Sequence, residues 1–243
     1  MISTEKKPCI KISFEDNNPT IFNSKLGGYG YLGKNDEVPT DENGEQLRLL
    51  AQLNLSEVTA VSDLGYLPKE GLLQFWIANS DEYGLNFDNQ TDQSNFRVIY
   101  IKDIDETVTE EDVKAKTKEV LTSSIEGDYD YLMPIDIGTD KSYGMSFLLG
   151  DSEYLWDIED FESITDDQWN NETGHKIGGH PYFTQFEPRD MEKDNYDFLL
   201  LQLDTDDNYK MMWGDSGICN FFINSEKLKA LDFSEVFYNW DCC

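Results

Sequence analysis

The sequence predicts an α+β fold, β-rich with few short helices, in which two related halves pack about a pseudo-twofold seam. Three observations predict it. The first is repetition. Lys25-Leu26-Gly27-Gly28-Tyr29 returns as Lys176-Ile177-Gly178-Gly179-His180, and Leu50-Ala51-Gln52-Leu53-Asn54 as Leu200-Leu201-Gln202-Leu203-Asp204. A third block, Gly71-Leu72-Leu73-Gln74-Phe75-Trp76-Ile77, returns as Gly217-Ile218-Cys219-Asn220-Phe221-Phe222-Ile223. The blocks keep their order, and their spacing nearly agrees: Gln52 follows Gly27 by 25 positions, and Gln202 follows Gly178 by 24. Two copies are too few for a solenoid, so the pattern predicts a globular pair with a seam, where pockets tend to form. The second observation is a series of apolar runs of strand length, and the third is the scarcity of helical periodicity.

The elements follow in chain order. Cys9-Ile10-Lys11-Ile12-Ser13-Phe14 alternates as an opening strand does. Residues 15–24 are polar and read as loop, and Gly27-Gly28 predicts a tight turn or a close backbone approach. Pro39 and Gly44 mark residues 35–45 as an exposed loop, and the apolar run over residues 47–55 is long enough for a buried strand. A short connector over residues 56–67 leads to two further strands, at residues 71–78 and 96–101. Thr109 with Asp112 forms a capping-box pattern opening a helix to about Leu121, solvated through Lys114, Lys116 and Lys118. Residues 103–171 read as an acidic connecting region, with a strand at Ser146-Phe147-Leu148-Leu149 and a short helix over residues 152–161. The second copy supplies a turn at residues 175–185, strands at 198–203, 217–223 and 236–240, and a helical turn at 225–230. The division is therefore a first half at 1–102, the connecting region, and a second half at 172–243, packed as one unit.

The chain has 243 residues, with 49 acidic against 19 basic residues and a formal charge of -30. That length is ample for a core. Such a charge repels nucleic acid and anionic lipid, whose affinity for proteins rests on cationic side chains. It suits a basic protein partner, brought in by electrostatic steering. No apolar run approaches the ~20 residues that span a bilayer, and the start has no hydrophobic secretory segment. A cytoplasmic protein with no membrane contact is expected. Cys9 and Cys219 sit in apolar runs as reduced core residues, and Cys242-Cys243 reads as a frayed tail without metal or redox spacing.

Two motifs look chemical and fall short. Gly214-Asp215-Ser216-Gly217 matches the nucleophile loop of chymotrypsin-like proteases, yet Ile218 replaces the family's second glycine. The two histidines, His175 and His180, both lie in the glycine-turn block, and a triad needs a positioned base. The four residues read as a strand-entry turn. Asp204-Thr205-Asp206-Asp207-Asn208 spaces oxygens like a calcium loop, but Tyr209 stands where the loop needs glycine, and Asp215 where it needs glutamate. No cofactor or metal is expected.

The amides are more informative. Gln52, Gln74 and Gln202 interrupt apolar strands, and a buried amide costs a few kcal/mol unless it is matched. They either bond across the seam to fix registry or face a cavity that holds a polar ligand. Lys25 and Lys176 precede the glycine pairs, where they could receive an anion beside backbone N–H groups or form surface ion pairs. His175 reads as a turn residue or an acid/base group, and Trp213 as a core or seam aromatic. The candidate ligand-binding set is Lys25, Gly27, Gly28, Gln52, Gln74, His175, Lys176, Gly178, Gly179, Gln202, Trp213 and Asp215, with no catalytic or metal residues assigned.

The repeated blocks, together with His175-Lys176-Ile177-Gly178-Gly179, Trp213-Gly214-Asp215-Ser216-Gly217 and the closing Phe237-Tyr238-Asn239-Trp240-Asp241-Cys242, resemble the YwqG-like family of bacterial proteins in collinear order. The resemblance implies an α+β fold with internal duplication in a soluble bacterial protein, and it supplies no reaction. Some members look like neighbours of secreted-toxin genes, which brings an immunity role into view. The leading expectation is a non-catalytic binding protein, in one form an acidic immunity-type inhibitor of a basic partner. The alternative is a small-molecule site or enzyme in the seam.

Overall fold

A computed structural model describes residues 6–118, 141–153, 172–190 and 195–243. The described strands are β1 (Lys6–Glu15), β2 (Lys25–Gly27), β3 (Arg48–Asn54), β4 (Leu72–Ile77), β5 (Phe96–Ile101), β6 (Ser142–Glu153), β7 (Lys176–Gly178), β8 (Phe198–Asp204), β9 (Ile218–Ile223) and β10 (Phe237–Asp241). Short helices are α1 (Leu55–Thr59), α2 (Glu110–Lys114) and α3 (Ser225–Lys229). Strands dominate, as the sequence predicts.

All ten strands join one antiparallel sheet in the order β10-β9-β8-β7-β1-β6-β2-β3-β4-β5. The β1–β6 pair lies at its centre, with ten residues in register from Lys6↔Glu153 to Glu15↔Gly144. From that pair the sheet runs outward as β2-β3-β4-β5 on one side and β7-β8-β9-β10 on the other. The first three strands of each flank have the same lengths, three, seven and six residues. Each long strand carries a register shift at the same place, between Leu49 and Ala51 in β3 and between Leu199 and Leu201 in β8. Strand β1, from the first half of the sequence, pairs with β7 of the second, so main-chain hydrogen bonds join the flanks.

The sheet curls, and its inner face makes the main core. Leu26, Leu53, Leu73 and Phe75 meet Ile177, Leu201, Leu203 and Phe221 in one apolar cluster. Phe75 and Phe221, from β4 and β9, lie 4.9 Å apart between ring centroids, and Phe96 of β5 lies 5.1 Å from Tyr238 of β10. The curl thus brings the two edges of the sheet toward each other. Exposed edges invite unwanted pairing, and here the segment after β4 covers them. The Tyr238 N–H donates to the Gln90 carbonyl. Gln93 accepts from the Val98 N–H and donates to the Phe233 carbonyl. Two smaller apolar clusters lie outside the sheet. Tyr31, Leu32, Val38, Leu47, Trp76 and Val113 cover one flank; Phe183, Leu199, Phe222 and Phe237 cover the other.

Local chemistry explains the elements that differ from expectation. The predicted connector begins with α1, because Asn54 leaves the strand extended and its side chain accepts from the Ser56 N–H. The Thr109–Asp112 capping box forms as predicted, but α2 ends at Lys114, short of Leu121. Strand β6 extends the predicted run at residues 146–149 in both directions, since β1 gives it a partner along its length. Of the helix predicted over residues 152–161, Ser152 and Glu153 belong to β6, and the rest lies outside the described residues. The glycine pairs do turn: Gly27, Gly28, Gly178 and Gly179 all take positive φ, from 65° to 77°.

Candidate functional site

The register lines the predicted polar residues up in two rows. Lys25 of β2 stands opposite Gln52 of β3, and Gln52 opposite Gln74 of β4. In the other flank Lys176 stands opposite Gln202, and Gln202 opposite Asn220. Strand side chains alternate between faces. Leu26, Leu53, Leu73 and Phe75 point into the main core on one side of the first row, and Ile177, Leu203, Cys219 and Phe221 do the same beside the second. Both rows therefore sit on the outer face of the sheet, beneath its covering segments.

The central glutamine of each row is buried and bonded in the same way. The Gln52 side-chain oxygen accepts from the Tyr31 N–H at 2.9 Å, while its amide nitrogen donates to the Ile21 and Asn23 carbonyls. The Gln202 oxygen accepts from the Tyr182 N–H at 2.9 Å, while its nitrogen donates to the Glu172 and Gly174 carbonyls. Gln74 donates to the Tyr31 carbonyl and to Gln52, and its oxygen takes the Trp76 indole N–H. Asn220 donates to the Tyr182 carbonyl, while its own side-chain oxygen is buried without a partner among the described residues. These amides pin the segment after each glycine pair to the sheet, which meets the need of buried polar groups for partners.

The lysines differ. Lys176 is 1% exposed and donates to the Glu172 carbonyl. Burial lowers its pKa to about 8, against the opposing pull of Cys9, Glu172 and Asp204. Lys25 is 2% exposed, and burial likewise lowers its pKa to about 8, opposed by Glu110. Among the described residues none hydrogen-bonds to the Lys25 ammonium or forms a close ion pair with it, so the pull of Glu110 acts at longer range.

His175 borders a cleft of about 370 Å³ between β1 and the second flank, lined also by Lys11, Ser13, Lys176, Asp204 and Asp206. The Asp204 N–H donates to His175 Nδ1 at 3.0 Å, so the ring hydrogen sits on Nε2, 3.4 Å from Asp206 Oδ2. That contact holds the Asp206 carboxyl below its usual range. Burial pushes Asp204 up, although the Gly174 N–H donates to its carboxylate at 2.8 Å. Phe14 packs on the imidazole, with centroids 4.6 Å apart. Both ring nitrogens are engaged, and among the described residues no serine, threonine or cysteine side chain hydrogen-bonds to the ring. The imidazole is placed as a brace between β7 and the end of β8.

The remaining predicted residues lie elsewhere. Trp213 is fully buried in the main core, edge-on to Tyr83 at 5.6 Å. Asp215 is exposed in the turn entering β9, where Gly214 and Ser216 take positive φ and the Gly217 N–H donates to the Trp213 carbonyl. Asp206 and Asn208 bond to each other in a 3-10 turn at Asp207–Tyr209. Among the described residues no group of three or more His, Cys, Asp or Glu is placed to hold a metal ion. The tail is tied down at Cys242, whose carbonyl accepts from the Gln185 side chain. The structure thus brings together Lys25, Gln52 and Gln74 beside Gly27 and Gly28, and separately His175, Lys176 and Gln202 beside Gly178 and Gly179. It does not gather the set into one cleft.

Asn220, Tyr31, Tyr182 and Glu172 complete the rows and lie outside the candidate set. Asn220 was detectable, because it occupies the place of Gln74 in the repeated block. The other three act through backbone groups, which leave no mark on side-chain identity.

Among the described residues no helix is long and apolar enough to cross a membrane. A search of curated proteins finds no match to the chain. A model for DUF1963, a domain of unknown function, matches residues 24–242, which hold both polar rows and nine of the ten strands. With the match running over nearly its whole length, the chain belongs to the DUF1963 family.

Proposed function

We propose that this chain is a non-catalytic binding protein that uses an acidic exterior to take a basic partner protein, in one form as an immunity-type inhibitor. The observation that carries the reading is the employment of the candidate polar residues. Gln52, Gln74, Gln202 and His175 spend their hydrogen bonds on the protein's own backbone and side chains. Some acids are used internally, as in the Thr109–Asp112 cap and the Glu110–Lys114 pair, but 49 acids against 19 bases leave a net charge of -30 that internal pairing cannot cancel. Around α2 the exposed residues include Asp103, Asp105, Glu106, Glu110, Glu111 and Asp112, a surface suited to lysines and arginines. The same charge argues against nucleic acid and anionic membrane as partners.

The matched strand lengths, register shifts and amide networks support an origin by internal duplication, with halves at 1–102 and 172–243 joined by the acidic region between them. The narrower YwqG-like identity, with its bacterial and cytoplasmic setting, rests on the resemblance of the sequence blocks alone. A pull-down at low and at high salt tests the partner reading. The expected result is a basic protein retained at low salt, released at high salt, and lost when Glu106, Glu110, Glu111 and Asp112 become neutral amides. Recovery of no basic protein at either salt overturns it. One observation favours a second reading: the His175 cleft lies where β1 of the first half meets the second, a place for a small polar ligand.

A further inference from the structure

We propose that the cavity beside Lys25 binds a small carboxylate monoanion. The cavity holds about 140 Å³ and is bordered by Asn18, Lys25, Tyr29, Glu110, Lys141 and Ser142. A cavity of about 150 Å³ can take a molecule the size of benzene, so this one has room for a small carboxylate such as formate or acetate.

The charges on its wall single out one of them. Lys141 pairs with Asp16 at 2.6 Å, and Glu110 with Lys114 at 2.7 Å, so each has its counter-ion. Lys25 has no close ion pair or hydrogen bond among the described residues, only the longer-range pull of Glu110, although it is 98% buried. Its counterpart shows what is missing. Lys176, at the same point of the other row, reaches the Glu172 carbonyl; the matching carbonyl, that of Ile21, receives only the Gln52 amide. A buried ammonium without partners is unfavourable, and an incoming anion removes that burden.

The backbone holds the lysine in place. Lys25 lies between Gln52 on β3 and Gly144 on β6. A side chain at residue 144 would come within 2.1 Å of Asn17, and one at Gly28 within 2.7 Å of Ser142. The two glycines thus let three segments close around the ammonium. One carboxylate oxygen meets Lys25, and the Asn18 amide and Ser142 hydroxyl are neutral donors for the other. The Glu110 carboxylate on the same wall opposes a second negative charge, which selects a monoanion over phosphate dianion.

Thermal denaturation of the full chain in sodium formate, acetate, phosphate or chloride, at matched ionic strength, tests the proposal. Formate or acetate should raise the melting temperature saturably below pH 8 and lose that effect well above it, as Lys25 sheds its proton. Lys25→Met should weaken acetate binding about tenfold or more, the size of a lost charge-assisted contact, while Lys176→Met leaves it intact. Should the Lys25→Met protein fail to fold, Asn18→Asp serves instead. It places a carboxylate in the cavity, and should raise the melting temperature and abolish the acetate response. The proposal is overturned if no carboxylate gives a saturable shift, if phosphate exceeds acetate, or if the acetate response survives whichever of these cavity variants folds.

Discussion

At the scale of single residues, the fold relies on a few amides to do what water does elsewhere. Gln202 satisfies one N–H and two carbonyls that the covering segment would otherwise bury bare. Gln202→Leu keeps the volume roughly and leaves those three groups unmet. A loss of about 3 kcal/mol is expected, read from the urea midpoint, with Gln52→Leu behaving alike. A change under about 0.5 kcal/mol in both would mean that the rows are not structural. Lys176 gives a prediction with a pH signature. Burial sets its folded pKa at about 8, below the ordinary 10.5. Between those values the unfolded chain holds a proton that the folded one has shed, so this group makes stability rise with pH across the window. Lys176→Met removes that slope. Relative to the parent, the variant should therefore fare best below pH 8, and the difference should fall by an amount on the order of 3 kcal/mol toward pH 10.5. Equal slopes in the two proteins, measured by denaturant titration across this range, would contradict the burial argument.

At the scale of elements, turns and strands depend on each other. Gly179 takes φ of 77° at the end of β7, and a Cβ there would lie 2.2 Å from Ser152 Oγ and 2.9 Å from the Cys9 side chain. Gly179→Ala therefore meets both backbone strain and the β1–β6 pair, and a loss of about 2 kcal/mol or more is expected. Gly44→Ala, also at positive φ but with nothing within 4 Å, should lose less, by about 1 kcal/mol. Comparing the two melting curves separates contact from conformation. This coupling also explains what the sequence could disclose. The runs at residues 72–77 and 218–223 announced themselves as buried strands, and the Thr109–Asp112 cap announced α2. Strands β2 and β7 did not, because three residues are too few to show a period. The rows were legible as repeated amides, but not as outer-face residues. Strands β3 and β8 are buried on both faces, so alternation of polar and apolar residues cannot say which side faces the core. Only the curl of the sheet decides it.

At the scale of the whole molecule, one curled sheet confines a charge of -30. Repulsion among like charges acts against the compact state, and salt weakens it over a Debye length of about 8 Å near 0.15 M. Surface ion pairs act the other way, since salt weakens them too. Pairs such as Lys114–Glu110 and Lys229–Glu226 are exposed on both sides, so solvent screens them and each contributes little. With 49 acids and 19 bases, like-charged pairs outnumber opposite ones across the chain. Stability should therefore rise as sodium chloride increases from about 0.01 to 0.15 M, while affinity for a basic partner falls over the same range. Neutralising Glu106, Glu110, Glu111 and Asp112 should abolish the partner response but only weaken the stability response, because taking four charges from -30 still leaves a net charge of -26. Stability that falls with salt would show the ion pairs to be dominant, and would remove the electrostatic argument for a basic partner along with it.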